Sequence, residues 1–543
     1  MSLGLITVVF IYLAAIAWLG YRGYGGTKTE GDYLLAGRNA HPYVMALSYG
    51  ATFISTSAIV GFGGTASLLG MSLLWLAFLN IFVGIFLAFV VFGKRTRRMG
   101  VNLDAHTFPE LLGRRFGSRG IQIFAGVLIV VFMPLYAAAV LIGAARILEV
   151  LLNVPYEVSV VVFSVLVGAY VILGGLKSVM YTDALQGTLM FIGMLVLLVV
   201  TYGKLGGVRE AHRLLSSLAH RIPESVQNGG VSNWTASPHF ASPLWWTIFT
   251  SLVLGVGIGS LAQPQLAVRF MTVGSDRELN RSVAVGGVFI LVCVASVYVI
   301  GPLTNAFFYG LDGSIAIEAA GGNVDRVIPT YLEAVMPSWF SLVFILVILS
   351  AAMSTLSSQF HAIGTALSRD ILEEGLFQGR QNHVGVAASR IGVVMTLILT
   401  VYLALHLSGG VIARATAVFF GLMASCFLAP YTAVMFWKKL TRGGVLAGMV
   451  AGFIAVGFGF LFLHGKEAVP LGLCQYLFGR EVLFSGNWIY VDPIVYSLPF
   501  SAISMIVVSL LFPDRSLEGA EFVNRAFRGI GKWSGPRQVV AAV

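Results

Sequence analysis

Residues 48–64 read Ser48-Tyr49-Gly50-Ala51-Thr52-Phe53-Ile54-Ser55-Thr56-Ser57-Ala58-Ile59-Val60-Gly61-Phe62-Gly63-Gly64. They lie inside an apolar run from 43 to 70, long enough to cross a bilayer. Hydroxyls and glycines crowd its middle. These residues weaken a helix and free backbone carbonyls locally, so a break part-way across the membrane is expected. A second run, 243–268, repeats the habit with Gly255, Gly257, Gly259 and Ser260, then Gln263-Pro264-Gln265. Small residues also serve close helix packing, and that plain reading fits either stretch alone. Two interrupted segments at corresponding places in two halves of a chain also fit a transport site, and both readings stand on the residues alone.

Working outward from these stretches, apolar runs fall near 3–21, 43–70, 73–93, 120–149, 156–174, 184–203, 243–268, 280–308, 328–366, 386–407, 412–437, 443–464 and 490–511. That predicts an all-α membrane protein of about thirteen transmembrane helices. The interrupted helices are the second and seventh. Five apart, they open two five-helix units, and an odd number makes the second unit enter from the opposite face. The expected organisation is a first helix and loop (1–42), a first repeat (43–203), an outer loop (204–242), an inverted second repeat (243–437), two added helices (438–512) and a tail (513–543).

The bulk composition agrees. The chain of 543 residues is 57% hydrophobic and only 11% charged, which excludes both an ordinary soluble enzyme and a disordered chain. Residues 3–21 lack a charged leading flank and a clear cleavage site, so they are read as a first span, not a removed signal. The three cysteines, Cys293, Cys426 and Cys474, suggest no disulfide or metal framework. With the N-terminus outside and the C-terminus cytoplasmic, 25 of the 34 Lys and Arg fall inside and 9 outside. The net charge of +10 is then mostly an orientation signal. It calls for no nucleic acid, and no obligate protein partner is evident. The expected setting is the lipid bilayer of the cell membrane.

The ninth helix carries Ala351-Ala352-Met353-Ser354-Thr355-Leu356-Ser357-Ser358. Ser354 and Ser358 are four apart and Thr355 is one step round, so all three share a face. Such hydroxyls can simply bond back to their own helix. They can equally offer neutral oxygens to a cation. Asp183, at the expected start of the sixth helix, is either a helix cap or an attracting charge on an ion route. His361 reads as a satisfied helix residue and Glu110 as a loop cap.

Four stretches carry a resemblance. Asp32-Tyr33-Leu34-Leu35-Ala36-Gly37-Arg38 precedes the second helix. Gly174-Gly175-Leu176 leads to Thr182-Asp183-Ala184-Leu185-Gln186. Gln263-Pro264 is followed by Arg269-Phe270-Met271, and the fourth is the run from Ala351 to Ser357. Together they resemble the sodium–solute symporters, which include carriers of proline, pantothenate, monocarboxylates, sialic acid, glucose and iodide. The resemblance implies a leucine-transporter-like fold of two inverted five-helix repeats, with Na+ as the coupling ion. It implies a first sodium site from the carbonyls of Ala51, Ile54 and Ala351 and the hydroxyls of Ser354 and Thr355. It suggests a second from Asp183, Ser354, Ser357 and Ser358. The solute is expected between Phe53, Ser55, Thr56 and Ser57 on one side and Gly255, Gly257, Ile258 and Gln263 on the other.

Sugar carriers resembling the family use an acid in the third helix, where this chain has Asn80. Gln263-Pro264 with Arg269-Phe270-Met271 looks like proline carriers, but these have an Asp where this chain has Phe53. The run 51–55, with Val327-Ile328-Pro329-Thr330, looks closer to pantothenate and monocarboxylate carriers. The expectation is therefore a sodium-coupled symporter, not an enzyme, that takes up a small organic solute, a carboxylate, by alternating access. An amino-acid or sugar carrier, a proton-coupled carrier and a transporter-like sensor are the alternatives. Against the sensor stands a tail of about 30 residues. Against an enzyme stands the lack of any nucleophile–base or metal-ligand motif.

Overall fold

The computed structural model describes residues 3–27, 29–376, 385–407, 409–513 and 517–530. Most of the expected tail lies outside these residues, as do Lys28 and Arg380 of the basic side. Among the described residues every regular element is helical. Eleven helices are long and apolar enough to cross a membrane. They match the expected spans once two details are seen. The second and third expected spans join through a tight turn at Gly70–Leu73 into one run, Ser57–Asn102, and the fifth, Tyr156–Ala169, is a shorter apolar helix.

Burial separates centre from rim. The ninth helix, Phe344–Gly375, is wholly buried over its most apolar window. In the first helix, Thr7–Gly25, only 17% of that window is buried, and in the last, Ile494–Leu511, 28%. The hydroxyl-rich helix therefore forms the axis of the molecule, and the outer helices give their apolar surface to lipid. It packs against the second, fourth and sixth helices.

The second helix breaks as expected. Its first half, Pro42–Phe53, ends at Ile54, whose ψ of 101° turns the chain out of the helix. The run resumes at Ser57. The seventh helix corrects the reading of its glycines. Turns stay helical through Gly255, Gly257 and Gly259, and the chain leaves the helix only at Gln263, whose ψ is 114°. Close approach explains Gly259: a Cβ there would stand 2.7 Å from the Phe420 carbonyl oxygen. Packing therefore claims Gly257, against Leu79, and Gly259, and the proline at 264 decides the break.

Asp183 also needs correction as a helix cap. The sixth helix starts earlier, at Gly175, where a φ of 62° kinks a longer run and the Tyr33 ring leaves no space for a side chain. Asp183 consequently lies two turns inside the helix and is fully buried. The loop 204–242 forms a small core around Leu215, Leu218 and Trp234, shared with Leu303 and Ala306 of the eighth helix. The indole of Trp234 donates to the Leu68 carbonyl at 3.0 Å, pinning this loop over the turn at Gly70.

Candidate functional site

The break in the second helix meets the hydroxyl face of the ninth. Ending the helix at Phe53 removes the amide partners that the carbonyls of Ala51 and Thr52 would have found one turn on. Ser354 Oγ lies 2.8 Å from the Ala51 carbonyl oxygen, 2.8 Å from that of Ser350 and 3.4 Å from that of Ala351. Thr355 Oγ1 lies 3.2 Å from the Thr52 carbonyl oxygen and 3.4 Å from that of Ala51. Ala51, Ala351, Ser354 and Thr355 are therefore gathered in one place, with the Thr52 carbonyl added, and Ile54 sits at the break itself. All are buried. The cluster offers neutral oxygens at the C-terminal, negative end of a half-helix, the environment that suits a small hard cation.

The residues expected around a second ion are otherwise engaged. Arg269 is only 1% exposed. Its Nη2 donates to Asp183 Oδ2 at 2.9 Å and to Ser358 Oγ at 2.6 Å. Its Nε donates to Ser48 Oγ at 2.9 Å, and Ser48 donates in turn to Asp183 Oδ2 at 2.7 Å. Its Nη1 donates to the Gln265 carbonyl at 2.7 Å. Ser357 and Ser358 donate to the Ser354 carbonyl at 3.1 and 2.8 Å. The guanidinium thus stands between Asp183 and Ser358. In the sequence Arg269 belongs to a stretch that carries the family resemblance and counts among the basic residues of the inner face, but nothing there gives it a partner. The signal that finds it is electrostatic: a lone acid inside an apolar helix demands a buried cation.

A cavity opens beside the break. Phe53 and Ser55 line it, as expected of solute contacts, together with Asn80, Tyr136, Val256, Tyr298, Thr416 and Phe420 from other helices. Its lining holds no charged side chain. The remaining expected contacts lie elsewhere. Thr56 donates to the Val140 carbonyl at 2.6 Å. Ser57 bonds the Thr416 hydroxyl. Gln263 donates to the Gly259 carbonyl at 3.1 Å. A Cβ on Gly257 would press on Leu79, and Gly255 and Ile258 are outside the lining. Within the cavity two donors converge on one oxygen. Tyr136 donates its hydroxyl proton, and Ala58 its amide, to Ser55 Oγ, each at 3.3 Å.

His361 is satisfied, as expected, with Nε2 3.3 Å from the Tyr33 carbonyl oxygen. Glu110 caps its loop by accepting the His106 amide at 2.6 Å, and it also pairs with Arg369 and Arg114.

The model of the sodium:solute symporter family matches residues 33–452. The sodium/proline symporter of Escherichia coli is 25% identical over 467 residues, covering 85% of this chain and 89% of the relative. The sodium/pantothenate symporter of Haemophilus influenzae is 26% identical over 496 residues, covering 89% and 97%. Among solved structures, a Na+-coupled sialic acid symporter in a substrate-bound outward-open state superposes with a TM-score of 0.73 at 20% identity, covering 95% of this chain and 99% of that one. The fold is leucine-transporter-like.

Proposed function

The chain belongs to the sodium:solute symporter family, and from that premise we propose that it takes up a small organic carboxylate, monocarboxylate or pantothenate-like, together with Na+. The observation that carries the solute class is the convergence of the Tyr136 hydroxyl and the Ala58 amide on Ser55 Oγ. A carboxylate oxygen accepts the same two donors, at the start of the resumed second helix, where the dipole favours negative charge. The cavity lining offers no acid to hold an ammonium group, which weighs against a zwitterionic amino acid.

In this reading Na+ takes the carbonyls of Ala51, Ile54 and Ala351 and the hydroxyls of Ser354 and Thr355. Binding there ties the broken second helix to the axial ninth helix. It orders Phe53 and Ser55, which flank Ile54, and raises the population of the state that accepts solute. The positive charge that a second ion would bring to Asp183, Ser357 and Ser358 is supplied instead by Arg269. The end of the bundle bearing residues 94–119 faces the cytoplasm, with the N-terminus outside, and the inverted repeats are 43–203 and 243–437.

The test is a thermal-shift screen of the purified protein against small carboxylates, amino acids and sugars, with and without Na+. A ligand of the folded carrier alone raises its apparent stability. Carboxylates that stabilise only in Na+ are the expected result. Stabilisation by an amino acid or a sugar, with none by carboxylates, contradicts the solute class.

A further inference from the structure

We propose that Asp370 is a second cation station, with Gln265 on the wall of the same cavity, a transit site on the route by which Na+ leaves for the cytoplasm; this rests on the sodium coupling and the sidedness given above. A cavity runs down one face of the ninth helix, lined by Ser358, His361, Thr365 and Asp370. Ser358, His361 and Thr365 share that face by ordinary helical spacing. Asp370 follows Thr365 by five residues, out of step with an α-helix. The turns from Ala366 to Leu376 are π-helical, and a five-residue register brings the acid back beneath the hydroxyls. From Ser358 to Asp370 is roughly 18 Å along the helix, at 1.5 Å per residue.

The acid itself is half satisfied. Thr107 Oγ1 and Gln122 Nε2 donate to Asp370 Oδ1 at 2.8 and 2.9 Å. Asp370 Oδ2 is buried and has no hydrogen-bond partner among the described residues. The same holds for Gln265 Oε1, whose amide group donates to Gln263 at 3.3 Å. Both residues line this one cavity and are 0% and 3% exposed. Two buried acceptors that need positive charge or donors, one of them on a carboxylate, are a poor arrangement for packing alone. They are a suitable one for a cation. Arg269 reaches the cavity too, but Asp183 neutralises it, and Arg369 is engaged by Glu110. An ion leaving Ser354 and Thr355 along this cavity thus meets the Asp370 carboxylate, the nearby Glu110 being held by Arg369 and Arg114, which offsets the cost of crossing a low-dielectric passage.

The test uses the full chain with its three buried cysteines replaced and a reporter, Ala362→Cys, in the cavity wall. Its labelling from the cytoplasmic side by a cationic and by a neutral thiosulfonate reagent is timed, with Na+ or choline present. The expected result is at least tenfold faster labelling by the cationic reagent, slowed by Na+ and not by choline. In Asp370→Asn the charge preference is expected to vanish, and the Na+ needed to halve the rate to rise at least fivefold. Gln265→Leu, which leaves the Asp370 hydrogen bonds in place, is expected to raise it in the same direction, and it decides the matter if Asp370→Asn does not fold. Thr107→Val disturbs packing around Asp370 without removing the charge and is expected to keep the preference. Labelling that ignores Na+, or a wild-type Na+ response in both Asp370→Asn and Gln265→Leu, overturns the site. Sodium-driven uptake that persists beside such a result leaves the coupling intact and sinks the transit site alone.

Discussion

Asp183→Asn and Arg269→Gln, made singly and together, probe the buried pair at the axis of the molecule. Asp183 and Arg269 are 0% and 1% exposed and 2.9 Å apart. Asparagine at 183 leaves a guanidinium buried without its counter-charge, and breaking such a pair costs about 3–5 kcal/mol. Glutamine at 269 leaves a carboxylate instead, but this carboxylate faces Ser358 Oγ across the place of the guanidinium and has Na+ available to it. The two single variants should therefore respond differently to sodium. Both melt well below wild type in choline. In Na+ at a hundred times its dissociation constant, Arg269→Gln regains about 2.7 kcal/mol by ligand linkage, while Asp183→Asn gains no more than wild type. The double variant, with two amides in place of two charges, recovers much of the loss, which a double-mutant cycle measures. Thermal denaturation of purified protein across a Na+ titration is the assay. Wild-type stability in Asp183→Asn, or an equal sodium response in the two single variants, refutes the reasoning.

Other outcomes follow from single contacts. Gly259→Ala places a Cβ 2.7 Å from the Phe420 carbonyl oxygen, a backbone atom that cannot swing away, so a loss of about 1–3 kcal/mol of stability is expected, read as a lower melting temperature; an unchanged melt contradicts the packing. Tyr136→Phe removes a donor from the solute cavity and is expected to weaken solute binding by about 0.5–1.5 kcal/mol, seen as a rise in half-saturating solute with little change in expression. Asp325 lies outside the spans. Burial holds its carboxyl above the ordinary value of 3.8, although the amides of Gly410 and Val411 pull it down. Its unfolded form therefore sheds the proton first, and stability is lost as pH rises from 3.8 through the raised folded value. Asp325→Asn is expected to flatten that decline in a pH series of melts.

Local spacing made part of this site legible. The shared face of Ser354, Thr355 and Ser358 needs only helical periodicity. The break near Ile54 needs only the known weakness of helices rich in Ser, Thr and Gly. What was not legible depends on packing between distant segments. Arg269 follows a Pro-broken turn and sits among basic inner residues, so nothing local marks it as buried. Only its approach to Asp183, 86 positions away, does so. Gly255, Gly257 and Gly259 look like the hydroxyl-rich break of the second helix, but whether glycine breaks a helix or admits a neighbour depends on what lies opposite, here Leu79 and Phe420. The cavity wall is assembled from Asn80, Tyr136, Tyr298 and Thr416 on four different helices, and no spacing rule joins them.

The central claim is that Na+ is held where the broken second helix meets the ninth. Equilibrium binding of 22Na+ to the purified carrier, compared among wild type, Ser354→Ala and Thr355→Ala, tests it most directly. A lost bond to a charged partner is worth about 1.5–3 kcal/mol, so each variant should need at least tenfold more Na+ for half-saturation while keeping its fold. Wild-type sodium affinity in both variants contradicts the account.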